Sequence, residues 1–486
     1  MRVIFSTEPA NGLLNHLTVV RELVRRGHVV TVAVHGKSVD ERLLEQLARD
    51  APGVTIEYAA PVGSGPSARW RALAADVRSA LDFLTFLDER FNDTYRARSS
   101  RRVPRPVLVL VPLLRHRPVR TLVRHALELL DRVIPADEEL EAYLRSRAPD
   151  VVLFTPYVGL RTVQVHYLRA AKSLGLRTAI CVKSWDNLTS KSALRPIPDR
   201  VFVWNEVQRQ EAGELHGIEP ERVVVTGAQC FDHWLTLRPR GREEFASAVG
   251  LDPGRPILVY TCCAPWTGQS EAAFVQRWLR AVRDSDDAAV ASAGVIVRPH
   301  PKRPSDVSMA DLEGLGPVVV FPAHGTAPTG PEAQQDYFDT FFHAAAVVGL
   351  NTTAMLEAAL LRRPVLTVLD AAYERLQTGT LHFRYMREVA GGVVDVVDTL
   401  ELHAEHLGDA LRNGDEWGAR TDAFVREFLR PFGLDVQSTP IFVDEVERLA
   451  RTPAPRPWRT PVPLLALRPL LSPLATRAAR TIRSAA

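Results

Sequence analysis

Short apolar runs alternate with amphipathic stretches along the first part of the chain. Residues 3–5 predict a buried strand, residues 13–26 an amphipathic helix, and residues 29–34 a second strand. Because a strand, a helix and a further strand in this order form a βαβ unit, the pattern predicts a doubly wound parallel sheet. Residues 66–147 are expected to be mostly helical, and further strands are expected at 54–58, 151–155, 178–182, 201–204 and 223–226.

A second α/β series follows, with strands expected at 257–260, 295–298, 318–321, 345–349 and 365–368. A chain of 486 residues exceeds what one hydrophobic core usually supports, so two domains are expected. The pattern predicts an N-terminal Rossmann-like lobe over 1–236 and a C-terminal one over 243–450, joined by a linker at 237–242. A C-terminal helix and a Pro/Arg-rich basic tail at 451–486 follow, and the Pro-rich stretch 452–473 is expected to leave the folded body.

Neither half contains the GxGxxG fingerprint that a nicotinamide or flavin enzyme of this fold is expected to carry. In open α/β sheets a ligand binds at the carboxyl ends of the strands. The loops that follow strands are therefore the places to look for function.

Composition is that of an ordinary globular protein, with 46% hydrophobic and 24% charged residues. Each of the four cysteines lies in or beside an apolar run, which indicates buried thiols in a reducing compartment. The vicinal pair Cys262 and Cys263 has no partner pair at zinc spacing, and no strand-following loop has an Asp-x-Asp pattern. We therefore expect no metal and no cofactor. The N-terminus does not resemble a signal peptide and no apolar run approaches a membrane span, so a cytoplasmic protein is expected.

Two segments are basic and contain no acidic residue, although the net charge of the whole chain is only +3. Both mix arginine with leucine, valine and proline, which suits an anionic membrane surface or an acidic partner; a solvated tail and an irregular insertion are the alternative. Nucleic acid is a weaker candidate because aromatic residues are not interleaved with the charges. The arginines are Arg96, Arg98, Arg101, Arg102, Arg105, Arg115, Arg117, Arg120 and Arg124, then Arg451, Arg456, Arg459, Arg468, Arg477, Arg480 and Arg483.

Residues 349–364 combine a strand end, a hydroxyl-rich turn and a helix that stops before Pro364. Asn351, Thr352 and Thr353 are of the types that begin helices, and the N–H groups there favour a phosphate or diphosphate. Glu357 lies one turn further along on the same face, where it could accept hydrogen bonds from ribose hydroxyls. A capped helix with no ligand is the alternative.

This segment resembles the donor-nucleotide helix of GT-B glycosyltransferases, such as lipid A disaccharide synthase and the undecaprenyl-linked N-acetylglucosamine transferase. The resemblance implies two Rossmann-like lobes facing each other across a cleft. It also implies that Glu357 binds the donor ribose and that Thr352 and Thr353 face the diphosphate. Arg363 departs from the pattern, since these families prefer a small residue before the proline.

Two other loops of the second half contain candidate donor ligands. Arg298, His300 and Lys302 end a strand in an Arg-Pro-His-Pro-Lys sequence similar to that of CDP-glycerol glycerophosphotransferases and capsule-type transferases, whose histidine lines the donor phosphates. A cationic pocket there would neutralise the diphosphate leaving group. Gln377, Thr380 and His382 follow the strand at 365–368, and the resemblance implies that they read the transferred sugar. A plain strand end and a helix start with a packed histidine are the alternatives.

The first half is expected to supply the catalytic base. Many GT-B members have a Gly-His pair in the loop after strand one, but this chain has Asn11-Gly12 there, and we expect His16 to be a packed surface histidine. Glu8 matches the place of the carboxylate base in some inverting members, the Kdo transferases among them; a turn residue is the alternative. Asp186 is the second candidate base, in a Trp-Asp-Asn sequence in which Trp185 and Asn187 suit an acceptor carbohydrate.

Together these features predict a metal-independent GT-B glycosyltransferase, of inverting type, that acts in cell-envelope polysaccharide synthesis. It would move a sugar from a nucleotide-sugar donor to a hydroxyl of a glycan or lipid-linked acceptor, at the inner face of the membrane if the basic segments bind there. The alternatives are a polyol-phosphate transferase of the CDP-glycerol type, a UDP-N-acetylglucosamine 2-epimerase-like isomerase, and a non-catalytic sugar-nucleotide sensor.

Overall fold

The computed structural model describes residues 1–8, 13–35, 41–59, 68–91, 96, 99–101, 103–157, 162–264, 270–323, 328 and 330–483. Asn11, Gly12, Arg98 and Arg102 lie outside these residues. The chain divides into two compact units, Met1–Asp232 with Gln437–Ala486, and His233–Val436.

The first unit is built on a parallel sheet with strand order β3-β2-β1-β4-β5-β6-β7. Val3 of β1 aligns with Val30 on one side and with Val151 on the other, so β1 lies in the middle of the sheet. The five inner strands are buried except at the first residue of some, as in other all-parallel sheets with helices on both faces, whereas the edge strands β3 and β7 are partly exposed. The strands are β1 Arg2–Thr7, β2 Val29–Val34, β3 Thr55–Tyr58, β4 Val151–Thr155, β5 Arg177–Cys181, β6 Arg200–Val203 and β7 Val223–Val225.

The helices of this unit come from both ends of the chain. They are α1 Leu17–Arg25, α2 Glu41–Asp50, α3 Ala68–Phe86, α4 Arg105–Val109, α5 Val111–Leu114, α6 Arg117–Val133, α7 Glu138–Arg147, α8 Gln164–Ser173, α9 Asn187–Ser190 and α10 Glu206–Glu214. The C-terminal segment adds α19 Ser438–Arg451, α20 Val462–Leu465 and α21 Arg468–Arg483.

The second unit has a six-stranded parallel sheet with order β10-β9-β8-β11-β12-β13. Counted within the unit this is 3-2-1-4-5-6, the strand order of a Rossmann domain. Its strands are β8 Ile257–Thr261, β9 Gly294–Arg298, β10 Val318–Val320, β11 Ala346–Gly349, β12 Val365–Val368 and β13 Val394–Val397. Its helices are α11 Arg242–Val249, α12 Ala272–Arg283, α13 Ala288–Ala291, α14 Pro331–Phe342, α15 Thr353–Leu360, α16 Leu381–Glu388, α17 Leu400–Arg412 and α18 Gly414–Phe428.

The Pro-rich C-terminal stretch does not leave the folded body, so that expectation is wrong. Arg177 donates to the carbonyl of Thr452, and the Trp458 N–H donates to the carbonyl of Lys172 at 2.8 Å. Further on, α21 packs along α3. Prolines remove backbone donors, but the segment is held by the Thr452 carbonyl, by the Trp458 N–H, by the side chains of Thr460 and Arg468, and by apolar contacts of α21.

Helix α19 belongs to the first unit although it follows the whole second unit in sequence. Phe442, Val443, Val446 and Leu449 enter the apolar cluster formed by α1 and the strands of the first sheet. Arg26 and His28 bond Glu447, with His28 Nε2 at 2.9 Å from the carboxylate. The C-terminal helix therefore completes the first core.

Candidate functional site

The strand order of the second unit reverses between β8 and β11, and both strands end in the same region of the sheet. A Cβ at Gly349, the last residue of β11, would lie 2.7 Å from Thr261 Oγ1 at the end of β8. Such a separation is a clash, so only glycine lets the two strand ends approach this closely. The turn 350–352 then leads directly into α15, at the place where open α/β sheets bind ligands.

Helix α15 begins as the sequence predicts, with Thr352 in an extended conformation as its first flanking residue. The Thr352 side chain makes no capping hydrogen bond. The first N–H groups of the helix therefore lack the usual side-chain acceptor from Thr352. A bound anion could act as the acceptor instead.

Glu357 lies on α15 one turn after Thr353, and the Tyr337 hydroxyl on α14 donates to its carboxylate. The guanidinium of Arg298, at the end of β9, stacks on the Tyr337 ring at 4.3 Å from the ring centre. Arg298 is buried, and its charge faces Glu357. The structure thus brings two predicted donor ligands, Arg298 and Glu357, together around a tyrosine that the sequence analysis did not identify.

Burial raises the pKa of Glu357 to about 7, although the Tyr337 hydrogen bond and the Arg298 charge both act to lower it. A carboxyl group with this pKa exchanges its proton near neutral pH. It can therefore accept hydrogen bonds when ionised and donate one when protonated, both of which suit a diol such as a ribose.

Asn351 and His382 are also brought together. The Asn351 amide nitrogen lies 3.2 Å from His382 Nε2 and donates to the Leu376 carbonyl at 2.6 Å. Asn351 is buried, and its Oδ1 accepts no hydrogen bond from the described residues. A buried acceptor of this kind at the start of a helix is a ready contact for a ligand donor.

Gln377 and Thr380 hold the loop that presents His382. The Gln377 amide accepts from the Asp370 N–H at 3.2 Å and donates to the Val368 carbonyl at 2.8 Å. Thr380 Oγ1 caps α16 by accepting from the Phe383 N–H. Because the Gln377 amide is bonded within its own loop, its contact to a sugar stays a prediction.

His300 lies just after β9, and its Nδ1 accepts the Lys302 backbone N–H at 3.1 Å. Burial, with the Lys302 charge adding to it, lowers the pKa of His300 to about 4. The imidazole is therefore neutral at physiological pH, with its proton on Nε2, where it can donate to a phosphate oxygen. The positive charge of the predicted cationic pocket comes from Arg298 and Lys302.

A buried carboxylate next to this site was missed by the sequence analysis. Glu271, directly before α12, accepts the Cys263 N–H at 2.7 Å and the Tyr260 hydroxyl at 2.8 Å. Burial raises the pKa of Glu271 to about 7. Both vicinal cysteines are buried free thiols, and Cys263 Sγ in turn accepts the Asn351 N–H just ahead of α15.

In the first unit Glu8 follows β1 at the reversal between β1 and β4. Its Oε2 accepts from the Thr162 hydroxyl and from the Val163 N–H at 3.1 Å, just before α8. Oε1 accepts no hydrogen bond from the residues that the structure describes. Glu8 is thus anchored through one oxygen, and the other remains for a base role.

Asp186 lies in the loop after β5, with both carboxylate oxygens bonded. Ser184 donates to Oδ1 and Ser190 to Oδ2, each at 2.7 Å, and Lys191 forms an ion pair at 3.6 Å. Trp185 and Asn187 are 3% and 1% exposed, so a sugar could reach the ring only after a rearrangement. Their proposed acceptor role stays a prediction.

His16 is fully buried, so the expectation of a surface histidine is wrong. Its ring lies 5.4 Å from that of Phe5, and its Nδ1 lies 3.5 Å from Thr155 Oγ1. Just after β2, His35 Nε2 lies 2.8 Å from Ser6 Oγ, and burial lowers the pKa of His35 to about 4. Polar side chains therefore fill the carboxyl edge of β1, β2 and β4.

No protein-family profile and no curated protein matches the sequence. Solved structures do match over nearly the whole chain. A UDP-GlcNAc 2-epimerase from Neisseria meningitidis, bound to UDP-GlcNAc, is 12% identical with a TM-score of 0.52, covering 92% of this chain and 100% of its own. A putative UDP-N-acetylglucosamine 2-epimerase from Listeria monocytogenes is 12% identical with a TM-score of 0.53, covering 94% and 98%.

A glycosyltransferase from Rickettsia africae is 9% identical with a TM-score of 0.53, and the similarity covers 93% of this chain and 99% of that one. The chain has a GT-B-type fold. The predicted fold class and the resemblance to GT-B proteins are thereby confirmed. At these identities the likeness concerns the fold, and the neighbours that share this GT-B fold include both isomerases and a transferase.

Proposed function

We propose that this GT-B protein is a glycosyltransferase that takes a nucleotide-sugar donor in its second unit. The observation that carries the proposal is the arrangement of buried Arg298 with the partly buried Tyr337 and Glu357 beside the start of α15. It combines a carboxylate suited to a ribose diol with a helix start suited to a diphosphate, at the strand-order reversal of a Rossmann-type sheet.

The diphosphate would bind at Thr352 and Thr353, with Lys302 and the Nε2–H of His300 as further contacts. Its charge grows as the glycosidic bond to the donor breaks, so fixed donors and cations there stabilise the transition state. In this proposal Asn351 Oδ1 and His382 would contact the part of the donor that follows the phosphates, and Gln377 would do so only after giving up hydrogen bonds within its loop.

Glu8 is the better of the two candidate bases. A base must receive a proton from the acceptor hydroxyl as that oxygen attacks the anomeric carbon. Glu8 Oε1 has no hydrogen bond from the described residues, whereas both oxygens of Asp186 accept from serines and the group pairs with Lys191. The acceptor is a hydroxyl of a glycan or lipid-linked molecule of the cell envelope.

The direct test is a panel of UDP-, GDP-, CMP- and CDP-linked donors, assayed by thermal protection and by turnover. We expect one class of nucleotide to raise the melting temperature of the wild type and of Glu8→Gln, while Glu8→Gln loses transfer. Absence of protection by every nucleotide would contradict the proposal. Conversion of UDP-GlcNAc without any acceptor would show an epimerase, and consumption of CDP-glycerol a polyol-phosphate transferase.

A further inference from the structure

Exposed apolar side chains of this protein are concentrated on one group of helices in the first unit. Ten of the sixteen exposed large apolar side chains found among the described residues fall within two short segments, 109–129 and 462–474. Four of them are at least 70% exposed. The ten are Val109, Leu110, Leu113, Leu122, Leu129, Val462, Leu465, Leu467, Leu470 and Leu474.

The two segments are far apart in sequence but lie together in the fold. Thr460 donates to the Arg132 carbonyl at 2.9 Å, and Arg468 donates to the Val133 carbonyl at 3.0 Å. Helices α6 and α21 both pack on α3, and Ala475 shares a small apolar cluster with Trp70 and other residues of α3. We call this group of helices, residues 105–133 and 456–477, the arginine–leucine layer.

Arginines without acidic partners flank these apolar residues. Arg115 and Arg117 lie two and four residues after Leu113 and are exposed, as are Arg456 and Arg459 ahead of Val462. None of the four forms an ion pair with the described residues. Charged side chains on an ordinary surface mix both signs, so an exposed apolar surface with unpaired cations beside it is complementary to an anionic, apolar partner.

A cavity of about 240 Å³ between α3 and the start of α6 adds a place for a phosphate group. Its lining includes four arginines and two acids, so it is positive by two charges. Arg90 is paired with both acids, at 2.9 Å from Asp88 and 3.0 Å from Glu214. The remaining positive charge of the cavity comes from Arg117, Arg120 and Arg124 of α6.

We propose that the arginine–leucine layer docks the protein on an anionic lipid surface. The exposed leucines and valines would enter the boundary between head groups and acyl chains, while the arginines pair with lipid phosphates. An anionic membrane offers apolar depth and negative charge together, so it matches both the exposed leucines and the unpaired arginines. No helix in the described part of the chain is long and apolar enough to cross a membrane, and docking from one side needs none. The inference does not depend on the transferase reaction.

Flotation of the full chain with lipid vesicles tests the proposal. We expect the protein to float with vesicles containing phosphatidylglycerol and to remain in solution with pure phosphatidylcholine, with binding that weakens as salt increases. Each basic residue near an anionic surface raises the partition coefficient on the order of fivefold. Arg117→Glu with Arg459→Glu should therefore lower the partition coefficient by at least about 30-fold.

Two further variants separate the apolar contribution from total charge. Leu113→Asn with Leu470→Asn keeps the net charge and removes apolar surface, so it should also lower the partition coefficient. Arg280→Glu with Arg426→Glu, at exposed arginines of the second unit, changes the net charge by the same amount as Arg117→Glu with Arg459→Glu, and it should leave flotation unchanged. Circular dichroism melts confirm that each variant is folded. No flotation of the wild type with anionic vesicles, or equal loss in the control pair, would overturn the proposal.

Discussion

Glu357 shows how one side chain connects the fold with the proposed chemistry. It is an acid on an otherwise apolar helix, and burial raises its pKa to about 7 while Tyr337 and Arg298 keep it from rising further. Keeping an ionisable group in such surroundings has an energetic cost, and a ligand that bonds to the carboxylate offsets that cost.

Replacing Glu357 should change how stability depends on pH. The folded pKa of Glu357 lies above the ordinary value of 4.5, so the folded state holds this proton more tightly than the unfolded chain does. The resulting contribution to the free energy of unfolding is complete below pH 4.5 and is lost as pH rises through 7. Glu357→Gln should therefore gain about 2 kcal/mol over the wild type between pH 5 and pH 8.5, measured by urea unfolding.

Glu332→Gln, at an exposed position on α14, is the matched control and should follow the wild-type pH profile. A wild type and Glu357→Gln with parallel pH profiles would show that the Glu357 carboxyl is not perturbed by burial.

At the scale of elements, the strands were well predicted because they are runs of β-branched and aromatic residues. The bounds of β2, β4 and β12 agree with the prediction, and most others differ by a residue or two. Strand β13 was missed because Asp395 interrupts its short run; in the fold that carboxylate pairs with His406. The place of Glu357 followed from helical periodicity, but its contact with Tyr337 depends on how α14 and α15 pack, which periodicity does not encode.

The close approach of β8 and β11 can be tested at Gly349. Gly349→Ala should lower stability by about 1–3 kcal/mol, because its Cβ would clash with Thr261 Oγ1, and it should weaken nucleotide binding by moving the start of α15. Adding Thr261→Ala removes the closest atom and should recover part of the stability.

Gly414→Ala is the control for Gly349→Ala, since a Cβ there meets nothing within 4 Å. It lies in α18 and should be neutral or stabilising. A Gly349→Ala variant as stable as this control would show that the two strand ends can separate freely.

The C-terminal segment gives a second test at this scale. Deleting residues 452–486 removes α21 and the preceding chain, which bonds Arg177, Lys172 and Arg132. The melting temperature should fall by several degrees, because the apolar cluster around Trp70 loses Ala475 and Leu471. An unchanged melting temperature would mean that the segment is dispensable for the first unit, as its composition alone suggested.

At the scale of the whole molecule, the sequence predicted two Rossmann-type halves but not how the chain is shared between them. The Pro-rich composition of the last residues suggested a separate tail, whereas α19 to α21 belong to the first unit. Composition records the lack of backbone donors in such a segment, but it does not show which carbonyls and apolar side chains find partners elsewhere. For the same reason, the sequence did not show that the exposed leucines of the two basic segments lie together in the fold.

The central claim is that the second unit binds a nucleoside diphosphate through Glu357 and the start of α15. Isothermal titration of the full chain with UDP, GDP, CDP and UDP-GlcNAc, for the wild type, Glu357→Gln and Glu332→Gln, tests it most directly. We expect saturable binding of one nucleotide class, weakened about tenfold or more by Glu357→Gln and unchanged by Glu332→Gln. Equal affinity in all three proteins, or no binding of any nucleotide, would contradict the account.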